Sequence, residues 1–275
     1  MKLAFTKMHG LGNDFIIIDL REKRVSNLAG RLKGLGDRRF GIGFDQAIVL
    51  KKSRKADFKM EIYNSDGSQV EMCGNGIRCL ADYIWKRRLS KKDVLEIETL
   101  AGIIRPRRAS GGLVTVDMGE PILDAPLIPV KLKGEVISKS VKVLDKTLKI
   151  TCVSMGNPHC IVFVKNADKF DVEKYGSVLE KMAIFPNRIN VEFVEVLSKS
   201  RLKMRVWERG AGETLACGTG ASAAVVAAHL ANKTNKRTLT VELLGGELKI
   251  KWDKADKRVY MTGPSKEVFN GFVDL

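Results

Sequence analysis

The sequence predicts an α+β protein built from two similar domains. Three observations predict it. The first is length: 275 residues, 44% of them hydrophobic, suffice for one large domain or two small ones with sizeable cores. The second is an internal repeat, and the third is an excess of short strands with one key helix in each half. Laying 58–64 over 202–208 pairs Lys59 with Lys203, Met60 with Met204, Ile62 with Val206 and Tyr63 with Trp207. Continued without a gap, Cys73-Gly74-Asn75-Gly76 falls on Cys217-Gly218-Thr219-Gly220, an offset of 144 (217 − 73). Upstream the same offset carries Gly12-Asn13 onto Gly156-Asn157 and Gln46 onto Asn190. Three separated segments in one register read as two copies of one ancestral unit, with a site at their interface built from equivalent loops.

The elements follow in chain order. Residues 15–19, 47–50 and 58–63 run apolar or alternate over four to six positions, as strands do. A Gly-containing loop then opens a helix at 76–85, where Ile77, Leu80, Tyr83 and Ile84 recur at helical spacing. Lys86-Arg87-Arg88 ends it, with cations suited to the C-terminal dipole. Strands are expected at 94–99 and 113–116. The segment 117–129, with three prolines, reads as the crossover between domains. In the second half, strands at 161–164, 191–196 and 202–207 precede a helix at 220–230. Its nearly continuous small apolar side chains predict burial on most sides. Strands at 238–243 and 248–252 follow.

Composition excludes several classes. The N-terminus lacks the apolar stretch of a secretory signal, and the longest small-apolar run, 221–231, is broken by Ser222 and His229. A soluble, cytoplasmic protein is expected. Five cysteines (73, 79, 152, 160 and 217) are too few and scattered for a disulfide scaffold, and none form a Cys-x-x-Cys pair. The net charge of +16 gathers at 51–55, 86–88, 91–92 and 105–108. Such clusters attract phosphates. They lack the interleaved aromatics of a single-strand binder, and no helix-turn-helix or RNA-binding signature occurs. A solvated lysine-rich surface is therefore preferred to nucleic-acid binding.

The chemistry lies in the paired cysteines. In both copies a cysteine immediately precedes a Gly-x-Gly that opens a helix. A helix start offers N–H groups without intrahelical acceptors and a positive dipole end. A thiol there is expected to ionise below its free value of about 8.5, and the glycines admit a bound carboxylate. Cys79, Cys152 and Cys160 do not recur in the other copy and read as structural. Two bases facing one carbon are what removing an α-proton on one side and returning it on the other requires. No dinucleotide fingerprint or P-loop is present, so neither cofactor nor metal is expected.

With these residues the sequence resembles the diaminopimelate epimerase family over essentially the whole chain. The motifs are 8–15, 64–68, 72–79, 156–159, 207–210 and 216–221. The resemblance implies a pyridoxal-phosphate-independent isomerase that interconverts LL- and meso-diaminopimelate on the way to lysine and peptidoglycan. It implies Cys73 and Cys217 as the two bases, each serving one stereochemical direction, with His159 and Glu208 as assisting groups. Asn13, Gln46, Asn64, Asn157, Asn190, Glu208 and Arg209 are implied as substrate contacts, and Gly74, Asn75, Gly218 and Thr219 as helix-end donors to the carboxylate. The implied fold is a pair of antiparallel barrel-like domains, each around a central helix, in a homodimer. Residues 1–117 with the returning tail 263–275 would form one domain and 118–262 the other.

The residue chemistry bears on the same set. A substrate that is zwitterionic at both ends calls for amides, a carboxylate and a guanidinium. Six of the seven contacts are paired by the offset: 13 with 157, 46 with 190, 64 with 208. Turn chemistry explains single asparagines, and a surface ion pair would explain Glu208 and Arg209, but neither explains the pairing. His159 breaks the symmetry, since its counterpart is Phe15. His9 is assigned to a glycine-rich first loop and His229 to packing on the second helix. The alternatives are another two-cysteine racemase of proline-racemase type and a noncatalytic basic binding protein. Arg209 and the amides favour a substrate polar at both ends.

Overall fold

The structure, a computed structural model, describes residues 2–274. In chain order its elements are β1 (Lys2–Gly10), β2 (Asn13–Asp19), α1 (Leu28–Gly36), β3 (Gln46–Lys51), β4 (Phe58–Asn64), β5 (Gln69–Val70) and α2 (Gly74–Lys86). Next come β6 (Ile97–Thr99), β7 (Gly102–Ile104), β8 (Arg107–Arg108), β9 (Val114–Asp117), β10 (Lys139–Val143), β11 (Lys146–Ser154) and β12 (Pro158–Phe163). They continue as α3 (Val172–Glu180), β13 (Asn190–Ser198), β14 (Arg201–Glu208), β15 (Gly212–Thr214), α4 (Gly218–Leu230), β16 (Thr238–Leu243), β17 (Gly246–Trp252), β18 (Val259–Gly263) and β19 (Lys266–Asp274). The chain divides into two compact units: residues through Val116 together with those from Thr262, and Asp117–Met261. Met1 and Leu275, the ends of the expected first domain, lie outside the described residues.

In the first unit the strand order is β19-β1-β2-β3-β4-β6-β7, with β5 beside β4. The run Phe15–Ile18 is buried at every position rather than alternating. Helices explain this by covering both faces of the sheet. Ile16, Ile18, Ala47 and Val49 join Leu32 of α1 in one cluster. Ile48, on the other face, approaches Gly76 of α2, which packs on β1, β2 and β3. Space beside Gly76 is tight, since Ile48 Cδ1 lies 3.1 Å from where a Cβ would stand. The guanidinium of Arg78 is also buried, and it donates to the carbonyls of Gly74 and Pro264, so it joins α2 to the segment that leads into β19.

The second unit repeats this plan, with β10-β11-β12-β13-β14-β16-β17-β18 in order and β15 beside β14. The offset of 144 holds from the β2–β3 pairing onward, while β11 pairs with β12 one residue out of the register that β1 keeps with β2. β2 runs parallel to β3 with Phe15 opposite Gln46, and β12 runs parallel to β13 with His159 opposite Asn190. Phe58 pairs with Ile97 as Leu202 pairs with Val241, and Ile97 with Ile104 as Val241 with Leu248. Helices α1 and α3, at 28–36 and 172–180, also superpose in register. Cys152, Cys160, Val191 and Phe193 pack against Val172, Tyr175 and Leu179 of α3. The opposite face meets α4, whose buried small side chains match the expected all-round burial.

Several expectations are corrected. The first loop is the long strand β1, and it carries His9. Neither α1 nor α3 was expected, because lysines, arginines and glycines interrupt their apolar positions. The expected strand at 94–99 is regular only from Ile97 to Thr99. The crossover after Asp117 holds one short 3-10 turn, Ala125–Leu127, and is followed by the unexpected hairpin β10–β11. The sheets are largely antiparallel, but β2–α1–β3 and β4–α2–β6 join parallel strands through a helix, as β12–α3–β13 and β14–α4–β16 do. Parallel partners need such a crossover, and it delivers each helix to one face of its sheet. Among the described residues no helix is long and apolar enough to cross a membrane.

Candidate active site

In each unit a cysteine caps the second helix. Cys73 has extended backbone angles (φ −140°, ψ 116°), and its Sγ accepts from the N–H of Gly76 at 3.4 Å. Cys217 does the same for α4 (φ −123°, ψ 110°), accepting from Gly220 at 3.4 Å. Sulfur thus occupies the place where a Ser, Thr, Asp or Asn oxygen ordinarily caps a helix. The other first-turn amides, Gly74 and Asn75 in one helix and Gly218 and Thr219 in the other, stand at the helix start, where backbone N–H groups face outward. They can present N–H groups to an anion, as the sequence suggested.

Around Cys73 the amides stand at one end of the sheet. Asn13 opens β2, Gln46 opens β3 and Asn64 closes β4, with Gln46 opposite Asn64 in register. The Asn13 Oδ1 accepts from Asn75 Nδ2 at 3.3 Å and lies 3.7 Å from the Cys73 sulfur, which donates to it. Asn13 Nδ2 donates to Asp45 at 2.8 Å, which fixes the amide's orientation. Gln46 Nε2 donates to Asn64 Oδ1 at 3.0 Å, and Asn64 Nδ2 donates to Ser68. An ion-pair group braces this end. Asp14 is bound by Lys7 and Arg38, and Arg38 also reaches Asp45. Burial works against ionisation of Asp14, but hydrogen bonds from Arg38 and then Lys7 outweigh it and hold the carboxyl at about 2.

Around Cys217 the corresponding positions are Asn157, Asn190 and Glu208. Asn190 donates to the Pro158 carbonyl at 2.9 Å and accepts from the Arg209 backbone N–H. Glu208 accepts from the Thr214 hydroxyl at 2.5 Å. Arg209 reaches the Asn187 carbonyl through its guanidinium. These partners take the place of a surface ion pair between Glu208 and Arg209. His159 is fully buried and bridges Asn157 Oδ1 (3.0 Å from Nε2) and Glu192 Oε1 (2.6 Å from Nδ1). The Thr219 hydroxyl lies 3.4 Å from the Cys217 sulfur.

One electrostatic expectation is overturned. The thiol of Cys217 does not ionise below its ordinary range. Burial pushes it well above that range, and the charges of Glu208 and Glu192 push the same way. The Thr219 hydroxyl and the Gly220 N–H favour the thiolate but are outweighed. The helix terminus favours the thiolate, but burial and the neighbouring carboxylates outweigh it here.

Sequence reasoning missed Glu192. Within β13 it reads as one polar residue among apolar ones, yet it is fully buried. The repeat was the available signal, since 144 residues earlier the matched residue is Ile48. His159, Glu192 and Cys217 bring their donor atoms within 4.8 Å of one another. That spacing could hold a metal ion, but the 2.6 Å His159–Glu192 contact is a hydrogen bond, so a cation would have to displace the proton between them.

A family model described as diaminopimelate epimerase matches residues 5–123 and 151–268. The chain belongs to the diaminopimelate epimerase family. It is similar to the diaminopimelate epimerase of Acetivibrio thermocellus, with 51% identity over 278 residues, covering 99% of each chain. To that of Methanococcus maripaludis strain S2 it is 49% identical, over 99% of this chain and 100% of the relative. Among solved structures, a Bacillus anthracis phenazine biosynthesis protein of the PhzF family aligns with a TM-score of 0.74 at 20% identity, covering all of both chains. A hydroxyproline epimerase from Agrobacterium vitis aligns with a TM-score of 0.70 at 13% identity, over 99% of this chain and 92% of that one. At such identities these two speak for the shared α+β fold alone.

Proposed function

We propose that this protein interconverts LL- and meso-2,6-diaminopimelate by transferring protons at an α-carbon between two cysteines, without a cofactor. One sulfur, as thiolate, takes the α-proton and becomes a thiol. The other, initially a thiol, gives its proton to the opposite face of the carbanion and becomes the thiolate. No bond besides C–H and S–H changes, and the two sulfurs leave with exchanged states, ready for the reverse direction. The observation that carries the reading is the pair of sulfur-capped helices at matched positions, Cys73 on α2 and Cys217 on α4. Each puts a proton-transfer group beside first-turn N–H groups, where the carboxylate gains electron density as the α-carbon becomes planar. Asn13, Gln46, Asn64, Asn157, Asn190, Glu208 and Arg209 would bind the two zwitterionic ends, with His159 and Glu208 assisting at the thiols.

The experiment is incubation of the reduced protein with LL-diaminopimelate in D2O, without pyridoxal phosphate. Formation of the meso isomer with α-deuterium is expected. Absence of exchange overturns the reading, and exchange into proline alone favours a proline-type racemase. The reading extends to a place in lysine and peptidoglycan precursor synthesis and to a reducing cytoplasm, which suits two working thiols. It extends also to a homodimer. Val268, Phe269 and Phe272 are exposed on β19, which ends the strand order of its sheet, and an apolar strand edge of this kind favours a second copy as partner.

A further inference from the structure

The two halves share a backbone register but not the side chains behind their sulfurs. Behind Cys73, on the sheet face that meets α2, stand Phe15 and Ile48, both fully buried. At the matched positions behind Cys217 stand His159 and Glu192, also fully buried. The correspondence is close. Phe15 and His159 lie opposite Gln46 and Asn190, and Ile48 and Glu192 each stand two residues further along those strands. A Cβ built on Gly76 would meet Ile48 Cδ1 at 3.1 Å, and one built on Gly220 would meet Glu192 Oε1 at 2.6 Å. The carboxylate therefore fills the space that glycine leaves in the first turn of α4, beside the sulfur that caps it. An apolar pair satisfies this fold in one half, so packing alone does not require an ionisable pair in the other.

We propose that Glu192 is a positioning residue of the epimerisation: through its hydrogen bond to Nδ1 it fixes the ring orientation and tautomer of His159 and makes the Cys217 half-site chemically unequal to the Cys73 half-site. The inference rests on the proposed epimerase activity. Hydrogen-bond bookkeeping supports it. The Asn157 Oδ1, 3.0 Å from Nε2, is an acceptor, so Nε2 carries a proton. At Nδ1 a second proton is shared with Glu192 across 2.6 Å. The ring and carboxyl then form a unit that holds two protons, directs an N–H toward Asn157 and confines the Glu192 oxygens beside Cys217. Burial favours the protonated carboxyl of Glu192 while the histidine opposes that preference, which suits a shared proton. A carboxylate that orients a histidine by its Nδ1 side is a known device for setting which nitrogen acts.

The test uses Glu192→Gln, which keeps size and hydrogen bonding but cannot take part in a shared ionisable proton. Its kcat is expected to fall by about 100-fold with KM little changed, the scale of one acid–base contribution. In a His159→Asn background the same substitution is expected to add nothing, because its route is gone. Ring 15N spectra of histidine-labelled protein, simple with three histidines, need no substrate. Wild type should show Nε2 protonated and Nδ1 in a strong hydrogen bond, and Glu192→Gln should move the Nδ1 signal. Unchanged kcat and Nδ1 signal in folded Glu192→Gln, or full additivity with His159→Asn, would overturn the proposal. Should that variant not fold, wild-type ring 15N spectra without a strong hydrogen bond at His159 Nδ1 overturn it equally. A wild type with the ring locked but inert toward diaminopimelate would support the hydrogen-bonded unit while overturning the proposed reaction.

Discussion

Replacing Gly220 by alanine tests the packing at the second sulfur with one methyl group. In an ordinary helix interior the change is stabilising by about 1 kcal/mol, since alanine loses less backbone freedom than glycine. Here the new Cβ would lie 2.6 Å from Glu192 Oε1 and 3.3 Å from the Cys217 sulfur. The first distance is roughly 0.8 Å inside ordinary van der Waals contact. The carboxylate cannot retreat freely, because a 2.6 Å hydrogen bond ties it to the buried His159. Overpacking of this kind costs about 1–3 kcal/mol. After the helix gain is set against it, a net loss of up to about 2 kcal/mol is expected. The matched Gly76→Ala is the control: it meets the ends of flexible side chains, Ile48 Cδ1 at 3.1 Å and Met60 Cε at 3.4 Å, and should be near neutral. Urea denaturation of both variants gives the difference, and epimerase rates should fall more for Gly220→Ala. Equal stability and equal rates for the two would refute the argument that a fixed carboxylate occupies the space beside Gly220.

Cys73→Ser and Cys217→Ser should each fold, because serine caps helices well, yet each should lose at least about 100-fold in epimerisation, measured by circular dichroism and by D2O exchange. A folded serine variant with wild-type exchange would remove that sulfur from the mechanism. Since burial, Glu208 and Glu192 all raise the Cys217 pKa, its alkylation by iodoacetamide should keep rising with pH beyond about 8.5, without a plateau below it. Glu208→Gln removes one of those charges and should shift the profile to lower pH, as peptide mass spectrometry would show. For Asp14 the folded pKa is depressed, from 3.8 to about 2. Its contribution of about 2 kcal/mol is therefore present above the unfolded value and is lost as pH falls from about 4 toward 2. Asp14→Asn should flatten that part of the acid-denaturation curve, and an unchanged curve would count against the ion-pair group.

Much of the site was legible because the repeat made it so. Cys73 and Cys217 stand out by sharing a motif at one offset, and Asn13, Gln46 and Asn64 by landing on Asn157, Asn190 and Glu208. The same offset locates α1 and α3, which local periodicity misses, since their register follows from 28–36 and 172–180 only once one of them is known. Strand edges were less legible. β1 hides behind glycines and a histidine, and its extended form depends on pairing with β2 and with β19, some 260 residues away. Glu192 was hidden from local pattern for a related reason: alternation in a strand marks which face a residue occupies, not whether that face is wet.

The sequence by itself determined the duplication, the α+β class and the two thiols at helix starts, because these are encoded in local pattern and in its recurrence. Only the tertiary structure decided the protonation tendency of Cys217. That depends on burial and on the carboxylates that β13 and β14 bring beside the sulfur, and electrostatic effects act through space and dielectric rather than along the sequence.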